Sequence, residues 1–558
     1  MNIHNADVNN KKDRENPMQL MTFLIRSAGW LLFTALVCSL ISGLSNAWLL
    51  ALINQALTAS DAARIVLALQ FVAGVIVMLI TRTLAQYLFM SMGQQAKATL
   101  RLRTVRQIAD AAFSVLEQQG REKSLAVLTQ DLDQIVIFFV TLPSLLTYSA
   151  VIVGCLAYLG WLSMPVMLIA IVTIVIGSLG FVWVNRRAMT LLKNSRRRED
   201  GLLKHFNALF AGAKELRLHR ERKQAFLSGA LETTIEQVRV ERTRGYVLYA
   251  LANIWGSVFF FAFIGVVLFL LTSVMRLEGA VLSGFAMIFL YMIVPIEGLL
   301  SALPSLGTAR VALERIDKVS QSLPAEVGHP QRQQQTMVSI ELRNVGHQYF
   351  NEQHQSMFRL GPLSLSFKPG ELVYLIGGNG SGKTTLAKLI VGLYPPENGQ
   401  ILLNGEVVDD KARDNYRQLF SAVFSDFHLF DDLSGLNSAD LDQRATQLIQ
   451  ALQLSHKVAV KEGQFSTLAL STGQRKRLAL VVAYLEDRPF YLFDEWAADQ
   501  DPTFKNVFYQ QLLPALRARG KTVLVITHDD RYFHLADRCI KLEFGQLLAG
   551  EAFEEAPC

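Results

Sequence analysis

Long runs without a charged residue dominate the first half of this chain and limit what it can fold into. No Asp, Glu, Lys or Arg occurs in 34 consecutive residues at 27–60, in 52 at 134–185 or in 31 at 245–275. A helix needs about 20 apolar residues to cross the hydrocarbon core of a bilayer, and buried helices of soluble proteins are rarely apolar over more than about 14. These runs therefore predict membrane-spanning helices.

The run at 134–185 is too long for one span, and Gly160 and Pro165 near its middle predict two helices joined by a tight turn. A cleavable secretory signal is the disfavoured alternative for the first span, because the apolar core of such a signal has only about 7–15 residues. The prediction is six spans, at about 28–53, 65–92, 136–159, 165–185, 246–273 and 279–303.

The segments between spans carry very different amounts of positive charge. Segment 186–244 holds fifteen Lys and Arg residues and segment 93–133 holds six. Cytoplasmic loops of membrane proteins carry the excess of Lys and Arg, so both termini are predicted to lie in the cytoplasm of a bacterial cell, inside the inner membrane. This topology accounts for the basic run at 196–198 without the alternative of a nucleic-acid-binding surface, so no nucleic-acid partner is expected.

The same two segments are predicted to be helical. Within 200–226, Leu203, Phe206, Leu209 and Phe210 recur at helical spacing. We therefore expect this stretch to be continuous helix and the spans to extend well beyond the membrane.

Composition and residue pattern divide the chain into domains. Only 18% of residues are charged, against about 25% in soluble proteins, and the four scattered cysteines exclude a disulfide scaffold or a zinc ribbon. From 338 onward, short apolar strands alternate with helices, which is typical of an α/β domain. The predicted parts are a cytoplasmic tail at 1–27, an α-helical six-span membrane domain at 28–310, a polar linker at 311–337 and an α/β domain at 338–558.

A glycine-rich loop in the α/β domain matches the G-x-x-x-x-G-K-[ST] pattern. It follows a predicted strand at 372–376 and opens a predicted helix at 384–393, which is the context that this motif requires. Glycines let backbone N–H groups surround phosphate oxygens, and the helix N-terminus adds a positive dipole end. The predicted ATP-binding residues are Gly377, Gly378, Asn379, Gly380, Ser381, Gly382, Lys383, Thr384 and Thr385.

Two carboxylates end a buried strand about 110 residues downstream. Asp494 is predicted to hold Mg²⁺ together with the Thr384 hydroxyl, and Glu495 to orient and polarise the attacking water. Such a pair could instead cap a helix, but the phosphate-binding loop upstream favours the catalytic interpretation.

Between these motifs, the segment Leu470-Ser471-Thr472-Gly473-Gln474 begins a basic helix. Taken alone, Ser471 could be only a helix cap. Together with the phosphate loop, the acidic strand and His528 in the same order, however, the segment resembles the LSGGQ signature of ATP-binding cassette (ABC) transporters. Six spans followed by one cassette resemble the half-exporters of this family, and the resemblance covers nearly the whole chain.

This resemblance implies an α/β P-loop NTPase domain with a helical subdomain, working as a homodimer. Each ATP, with Mg²⁺, would lie between Lys383 of one protomer and the signature residues Ser471, Thr472, Gly473 and Gln474 of the other. Catalysis would use Glu495, His528 and Lys383. Tyr349 corresponds to the aromatic residue that stacks on adenine, and Asp501 corresponds to the dimer-contacting loop. Cytoplasmic helices near Gly120 and at 206–214 would transmit the motion.

Two positions depart from the family pattern. Thr472 replaces the first glycine of the signature and brings a Cβ close to the phosphate. The family's metal-sensing Gln is absent, and Ser425 and Asp426 occupy its place. We expect one of the two to replace it, with Asp426 the better Mg²⁺ ligand.

The combination of motifs around 425, 471, 494 and 528 resembles a bacterial branch that exports cyclic peptides and peptide siderophores. A multidrug or lipid exporter of the same architecture and an ATP-gated channel remain as alternatives, whereas the six spans exclude a soluble ATPase acting on DNA. Arg82 and Glu297 interrupt the apolar runs, so they either contact polar cargo along the substrate path or lie paired or snorkelling near the lipid boundary.

Overall fold

The structure is a computed structural model, and it describes residues 29–58, 60–119, 121–271, 279–324, 326, 337–351, 356–436 and 440–548. The chain separates into two compact units. Of the described residues, the first unit, called the membrane unit, contains 29–106 together with 122–321. The second, called the cassette unit, contains the described residues of 107–121 and of 322–548.

Six helices in the described part of the chain are long and apolar enough to cross a membrane, as predicted. The helices up to residue 322 are α1 (Gly29–Thr58), α2 (Asp61–Asp110), α3 (Phe113–Gln119), α4 (Arg121–Ala126), α5 (Leu132–Leu162), α6 (Met164–Ala211), α7 (Ala213–Leu218), α8 (Arg220–Ala225), α9 (Glu232–Val266) and α10 (Gly279–Ser322). π-Helical turns at Val127–Asp131, Phe226–Leu231 and Val267–Leu271 adjoin α5 and α9. At 50 and 48 residues, α2 and α6 are far longer than a bilayer is thick, at a rise of about 1.5 Å per residue.

The breaks between helices fall at residues with an identifiable conformation. Ser163 adopts an extended backbone and Pro165 occupies the first turn of α6, which gives the predicted turn between the third and fourth spans. The prediction of continuous helix over 200–226 is wrong in detail. Helix α6 ends at Ala211, before Gly212, and α7 ends at Leu218, before His219, whose backbone is extended (φ −123°, ψ 96°).

Close helix packing in the membrane unit depends on small residues. A Cβ placed on Gly43 of α1 would lie 2.5 Å from Cβ of Ala150 on α5, and one placed on Gly154 would lie 2.7 Å from Cβ of Ala47. Neither position tolerates a larger side chain at this separation. Helices in lipid have no hydrophobic driving force between them, so close van der Waals contact of this kind supplies much of their attraction.

The cassette unit is built on two sheets and a short hairpin. Its strands are β1 (Ile340–Asn351), β2 (Ser356–Phe367), β3 (Leu372–Ile376), β4 (Asn398–Leu403), β5 (Glu406–Val407), β6 (Phe420–Val423), β7 (Val460–Lys461), β8 (Gln464–Phe465), β9 (Phe490–Asp494), β10 (Thr522–Ile526), β11 (Arg538–Glu543) and β12 (Gln546–Leu547). The first sheet is antiparallel, in the order β2-β1-β4-β5.

The second sheet, in the order β12-β11-β3-β10-β9-β6, positions the predicted site. Its five strands from β11 to β6 run parallel, and β3, β9 and β10 are almost wholly buried, as expected for a sheet covered on both faces. The phosphate loop follows β3, Asp494 ends β9, His528 follows β10, and the segment with Ser425 follows β6. All four therefore meet at the carboxyl edge of one sheet, where ligands of open α/β sheets bind.

Short helices cover the cassette sheets, and two buried clusters hold the layers together. The helices are α11 (Lys383–Ile390), α12 (Arg413–Arg417), α13 (Leu441–Ala451), α14 (Thr472–Glu486), α15 (Pro502–Val507) and α16 (Leu513–Ala518). A π-helical turn at Phe508–Leu512 and 3₁₀ turns at Trp496–Asp499 and Asp530–Leu535 join them. One cluster includes Phe493, Trp496 and Phe508, and the other packs α11 against Phe490 and Leu524.

The division into units differs from the predicted domain boundaries at two places. Helix α10 continues to Ser322, so the first part of the predicted linker is helical, while 325 and 327–336 lie outside the described residues. Segment 107–121, which the sequence places in the membrane domain, groups with the cassette unit. Its own contacts explain this, because the Asp110 carbonyl accepts a hydrogen bond from the backbone of Glu326 at 2.8 Å.

Candidate nucleotide site

The loop between β3 and α11 has a backbone suited to phosphate. Gly377, Gly380 and Gly382 have φ of 152°, 77° and 101°, in the region that residues with a Cβ rarely adopt. A Cβ at Gly377 would also lie 2.1 Å from the carbonyl oxygen of Leu542, so only glycine fits there. The loop leads into the N-terminus of α11, where free N–H groups and the helix dipole favour an anion. The other predicted loop residues, Gly378, Asn379 and Thr385, lie in the same turn and in the first turn of α11.

Lys383 is folded back onto this loop. Its side-chain Nζ donates hydrogen bonds to the carbonyl oxygens of Gly377 at 2.9 Å and Gly378 at 2.8 Å. Burial lowers the pKa of this ammonium group, while the nearby carboxylates of Glu495 and Asp494 act in the opposite direction. The hydroxyl of Ser381 is buried in the same loop with no hydrogen-bond partner among the described residues. A bound phosphate would give the Ser381 hydroxyl a partner and the Lys383 ammonium group a charged one.

The predicted metal-binding pair is assembled. The Thr384 hydroxyl donates to Oδ2 of Asp494 at 2.9 Å, and Oδ1 of this 1% exposed residue has no hydrogen-bond partner in the described part of the chain. Burial raises the pKa of the Asp494 carboxyl, and the Thr384 hydrogen bond and the Ser425 backbone amide lower it. A hydroxyl beside a buried, half-satisfied carboxylate is a donor set that fits Mg²⁺.

Glu495 and His528 face each other across the end of the sheet. Nε2 of His528 lies 3.4 Å from Oε1 of Glu495. Glu495 has a left-handed backbone (φ 50°) and is fixed through its main chain. Its N–H donates to the Ile526 carbonyl at 3.1 Å and its C=O accepts from Nζ of Lys476 at 2.9 Å. A non-glycine residue held in this conformation indicates a position that the surroundings impose.

A cavity of about 230 Å³ lies beside this pair. Glu495, His528, Lys505 and Asp529 line it, and Lys505 pairs with Asp529 at 3.1 Å. The cavity is large enough for several water molecules and is bordered by both predicted catalytic side chains. The geometry therefore suits the activation of water by a carboxylate, with an imidazole within reach.

The signature segment forms the start of α14. Ser471 is its N-cap: its hydroxyl accepts from the Gln474 N–H at 3.4 Å, and the Gln474 side chain accepts from the Ser471 N–H at 3.2 Å. Ser471 and Thr472 are nevertheless exposed. A Cβ at Gly473 would lie 2.8 Å from the Asp499 carbonyl. Among the described residues no hydrogen bond joins this segment to the phosphate loop of the same chain.

Two basic residues of α14, to which the sequence motifs assigned no role, connect the signature helix to the loop after β9. Nζ of Lys476 pairs with Asp499 at 2.7 Å in addition to holding Glu495. Arg477 donates to Gln500 at 2.9 Å and to Asp501 at 2.5 Å, with its guanidinium 3.8 Å from the centre of the Phe504 ring. In the sequence, the basic run that contains Lys476 and Arg477 was the signal that could have indicated these contacts. Asp501 also caps α15, and the hydrogen bond from the Phe504 N–H is the main reason that the pKa of its carboxyl is lowered.

The two candidates for the missing Gln are placed differently. Ser425 presents its backbone amide to the Asp494 carboxylate. Asp426 is exposed and has no hydrogen bond or ion pair with any described residue. The structure therefore brings the Ser425 main chain, and not its hydroxyl, to the predicted metal-binding pair.

An aromatic residue that the sequence analysis did not single out lies against the phosphate loop. A Cβ on Gly382 would lie 3.1 Å from the Phe358 ring, so this ring packs on the loop backbone. Tyr349 lies on β1 directly opposite Phe358 in the strand pairing, but its side chain lies outside the described residues. The alternation of β2 could have indicated Phe358 only once its pairing with β1 was known.

The helix that follows the phosphate loop is also the contact for segment 107–121. The Glu117 carboxylate accepts from Nζ of Lys388 on α11 at 2.9 Å and from the Tyr394 hydroxyl. The ring of Phe113 stacks on Tyr394 with centroids 6.2 Å apart. Gly120, also expected to transmit motion, lies outside the described residues. The phosphate-binding helix and this short segment are thus directly linked.

Arg82 and Glu297, the two candidates for the substrate path, are not paired. Arg82 is exposed on α2. Glu297 on α10 is half-buried, and its Oε1 accepts a hydrogen bond from the Ser257 hydroxyl of α9 at 2.7 Å. Among the described residues no Lys, Arg or His lies within 4.0 Å of the Glu297 carboxylate. The two residues are therefore separate features of the membrane unit.

Each half of the chain matches a known protein family. The model of the ABC transporter transmembrane region covers residues 29–296, and the model of the ABC transporter covers 360–498. A structure of a bacterial Atm1-family ABC exporter with ATP bound has the same fold, with a TM-score of 0.73, 16% identity and 95% of each chain covered.

Curated relatives agree with these matches. The chain is 37% identical over 553 residues, 97% of both chains, to the "ATP-binding protein SyrD" of Pseudomonas syringae pv. syringae. It is 32% identical over 229 residues, 39% of this chain and 38% of the relative, to the "ATP-dependent lipid A-core flippase" of Haemophilus ducreyi. The chain belongs to the ABC transporter family and is a multi-pass inner-membrane exporter that couples ATP hydrolysis to transport.

Proposed function

We propose that two copies of this chain form an Mg²⁺-dependent exporter of a cyclic peptide or a peptide siderophore, with the cassettes and both termini in the cytoplasm. The observation that carries the catalytic part is the meeting of Thr384, Asp494, Glu495 and His528 at one sheet edge. The cargo is inferred from the motifs around 425, 471, 494 and 528, which resemble those of the branch that exports cyclic peptides and peptide siderophores. The 37% identity to SyrD extends over 97% of both chains, whereas the lipid A-core flippase of Cupriavidus metallidurans is 28% identical over 73% of this chain.

ATP binding would use the Lys383 ammonium group and the Ser381 hydroxyl of the phosphate loop. Lys383 would exchange its contacts with the Gly377 and Gly378 carbonyls for the β- and γ-phosphates, and the Ser381 hydroxyl would gain an acceptor. Thr384 and Asp494 would hold Mg²⁺, which would neutralise charge on the transferred phosphoryl group.

Hydrolysis would proceed by in-line attack of water on the γ-phosphorus. The Glu495 carboxylate would accept the proton of this water, and His528 would hydrogen-bond to the γ-phosphate. The main-chain bonds of Glu495 to Ile526 and Lys476 keep its carboxylate at the cavity. Because Lys476 belongs to the helix that the signature begins, movement of that helix would move the catalytic base as well.

The second copy would complete the site, because Ser471 and Thr472 are exposed and, among the described residues, no hydrogen bond joins them to the phosphate loop of their own chain. Ser471 and Gly473 of the partner subunit would close over the γ-phosphate, with the dipole of α14 directed at it. Thr472 carries its Cβ on the exposed side of this turn, so the closed form has to accommodate one extra carbon there.

Transmission to the membrane helices would begin at Glu117. This residue connects segment 107–121 to Lys388 on the helix that begins at the phosphate loop, so a displacement of α11 on nucleotide binding passes directly to that segment. In the membrane unit, Phe210 and Leu218 are each 79% exposed at the ends of α6 and α7. These large apolar side chains at cytoplasmic helix ends are suited to contact the second copy.

Purified protein in liposomes, loaded with cyclic peptides or with lipid A-core oligosaccharide lipid, separates the peptide exporter from the lipid exporter. The proposal expects ATPase stimulation and ATP-dependent transport with peptides. Stimulation by the lipid alone would replace the peptide proposal with the lipid alternative.

Glu495→Gln separates a pump from an ATP-gated channel. A general base contributes about 10²–10⁴-fold to rate, so hydrolysis and net transport should both fall by at least that order, with ATP binding retained. The same measurements on His528→Ala show how much the other member of the Glu495–His528 pair contributes to hydrolysis. Cargo flux that continues in Glu495→Gln whenever ATP is bound would indicate a gate.

A further inference from the structure

A polar cavity lies among three helices of the membrane unit. Its volume is about 520 Å³, and its polar lining comes from Tyr148 on α5, Tyr249, Asn253 and Ser257 on α9, and Glu297 and Ser301 on α10. The surrounding residues belong to helices that are apolar enough to cross a membrane, where hydroxyl, amide and carboxylate groups are costly unless they have partners. A cavity of this size accommodates a side-chain-sized group of a cargo molecule.

The Glu297 carboxylate is the charged group of this cavity, and it is only partly satisfied. Its Oε1 accepts a hydrogen bond from the Ser257 hydroxyl at 2.7 Å. Among the described residues no cationic side chain lies within 4.0 Å of the carboxylate. An ionisable group inside a membrane span is costly unless it has a partner. Arg82, the other ionisable residue that interrupts these apolar runs, does not supply one.

Two aromatic rings flank the same cavity. Gly298, next to Glu297, permits the close approach of one of them: a Cβ there would lie 2.3 Å from the Tyr148 ring. Tyr148 therefore rests on the backbone of α10 beside the carboxylate, and Tyr249 lines the cavity from α9. Tyrosine rings attract cations through their π faces, and this attraction is strongest where water is excluded.

We propose that this cavity is a binding site for a cationic group of the cargo, an ammonium or guanidinium, with Glu297 as the counter-ion. Tyr148 and Tyr249 would contact the cation through their rings, and the side-chain oxygen of Asn253 would accept a hydrogen bond from one of its N–H groups. The proposal rests on the proposed export function and adds a charge requirement to it. Cargo that carries a positive group is selected over neutral cargo of the same shape.

The test uses the full-length protein in lipid nanodiscs without nucleotide. Binding is measured by titration calorimetry with a cyclic peptide containing one lysine and with the same peptide acetylated on that lysine. Octylammonium and octanol form a second pair that differs in charge but is not peptidic. The wild type should bind the cationic member of each pair at least about 10-fold more tightly, which corresponds to about 1.4 kcal/mol.

Three variants on helix α10 complete the experiment. Glu297→Gln should abolish the preference for the cation and Glu297→Asp should retain part of it. Glu314→Gln removes a carboxylate on the same helix that pairs with Arg310 at 3.1 Å, away from the cavity, and should behave as the wild type. A preference that survives in Glu297→Gln, or a wild type that binds neither cation more tightly than its neutral partner, overturns the inference.

The two pairs of probes separate this inference from the proposed function. Export of both peptides at equal rates by the wild type would leave peptide export standing and overturn the cation site. Glu297-dependent binding of octylammonium without binding of either peptide would support the site and contradict the peptide cargo.

Discussion

The Thr384 hydroxyl donates a hydrogen bond to Oδ2 of Asp494 at 2.9 Å, although the two residues are 110 positions apart in the chain. The bond joins the start of α11 to the end of β9. It leaves Oδ1 of Asp494 buried and without a partner in the described residues. A single divalent cation would contact both side chains and satisfy this oxygen, which explains why a carboxylate is kept in so buried a position.

Asp494→Asn tests this role directly. The amide keeps the shape of the side chain but removes the charge and one of the two acceptor oxygens, so we expect ATPase activity to fall by about 10²-fold or more. ATP binding measured in EDTA should change little, whereas the tightening on addition of Mg²⁺ should be lost. An Asp494→Asn protein whose ATP affinity still rises with Mg²⁺ would assign the metal to other ligands.

Mixing two inactive variants tests the shared site. Lys383→Ala removes the phosphate contact of one chain, and Ser471→Arg blocks the signature of the other. In a mixed dimer, one of the two composite sites keeps both Lys383 and Ser471. We therefore expect co-reconstituted variants to recover activity, up to about a quarter of the wild-type rate if dimers form at random and sites act independently.

Each variant alone, measured at the same total concentration, is the control for this mixture. Full activity of Ser471→Arg by itself would contradict the shared site, because it would mean that a protomer hydrolyses ATP without the signature of its partner.

Asp426→Ala distinguishes the two candidates for the missing Gln. The carboxylate is exposed and has no described partner, so its loss should leave the fold intact while lowering the ATPase rate about tenfold through weaker metal and water positioning. Ser425→Ala should have a smaller effect, because the backbone amide of Ser425, not its hydroxyl, faces Asp494. An undiminished rate in Asp426→Ala removes this carboxylate from the mechanism.

Glu486 near the end of α14 should make the stability of the cassette depend on pH. Burial raises the pKa of its carboxyl from 4.5, against the hydrogen bond that it accepts from the Ser421 hydroxyl at 2.6 Å. A raised folded-state pKa contributes stability that is complete below the unfolded pKa and is lost as pH rises through the folded pKa. At pH 8 the ionised carboxylate therefore opposes folding.

Glu486→Gln keeps an acceptor for Ser421 without the charge. We expect it to raise the unfolding temperature of the full-length protein at pH 8 by about 2–4 °C, with the gain shrinking towards pH 5. Glu406 is exposed, so Glu406→Gln is the matched control and should leave the unfolding temperature unchanged at both pH values. A gain that is equal at both pH values would show that packing, not ionisation, is responsible.

Much of this protein could be predicted from its sequence because the signals are local. Charge-free runs reveal spans, since a bilayer demands about 20 apolar residues in a row, and all six appear as helices. The phosphate loop could be identified because strand, glycines, lysine and helix are adjacent in the chain, and the strand prediction at 372–376 is confirmed. The helix breaks at Gly212 and His219 were missed, because the helical spacing of Leu203, Phe206, Leu209 and Phe210 stops before them and does not report the backbone angles that follow.

The sequence by itself determined the membrane spans, the parallel-sheet cassette and the chemical types present in the nucleotide site, because helix period, strand pattern and glycine loops are properties of neighbouring residues. Only the tertiary structure decided that Thr384 meets Asp494, that Lys476 holds Glu495, and that Glu117 contacts Lys388. It also decided that Glu297 stands in a cavity without a cationic partner among the described residues. These relationships join elements up to 271 residues apart, and sheet order and helix packing, which no local pattern encodes, bring them together.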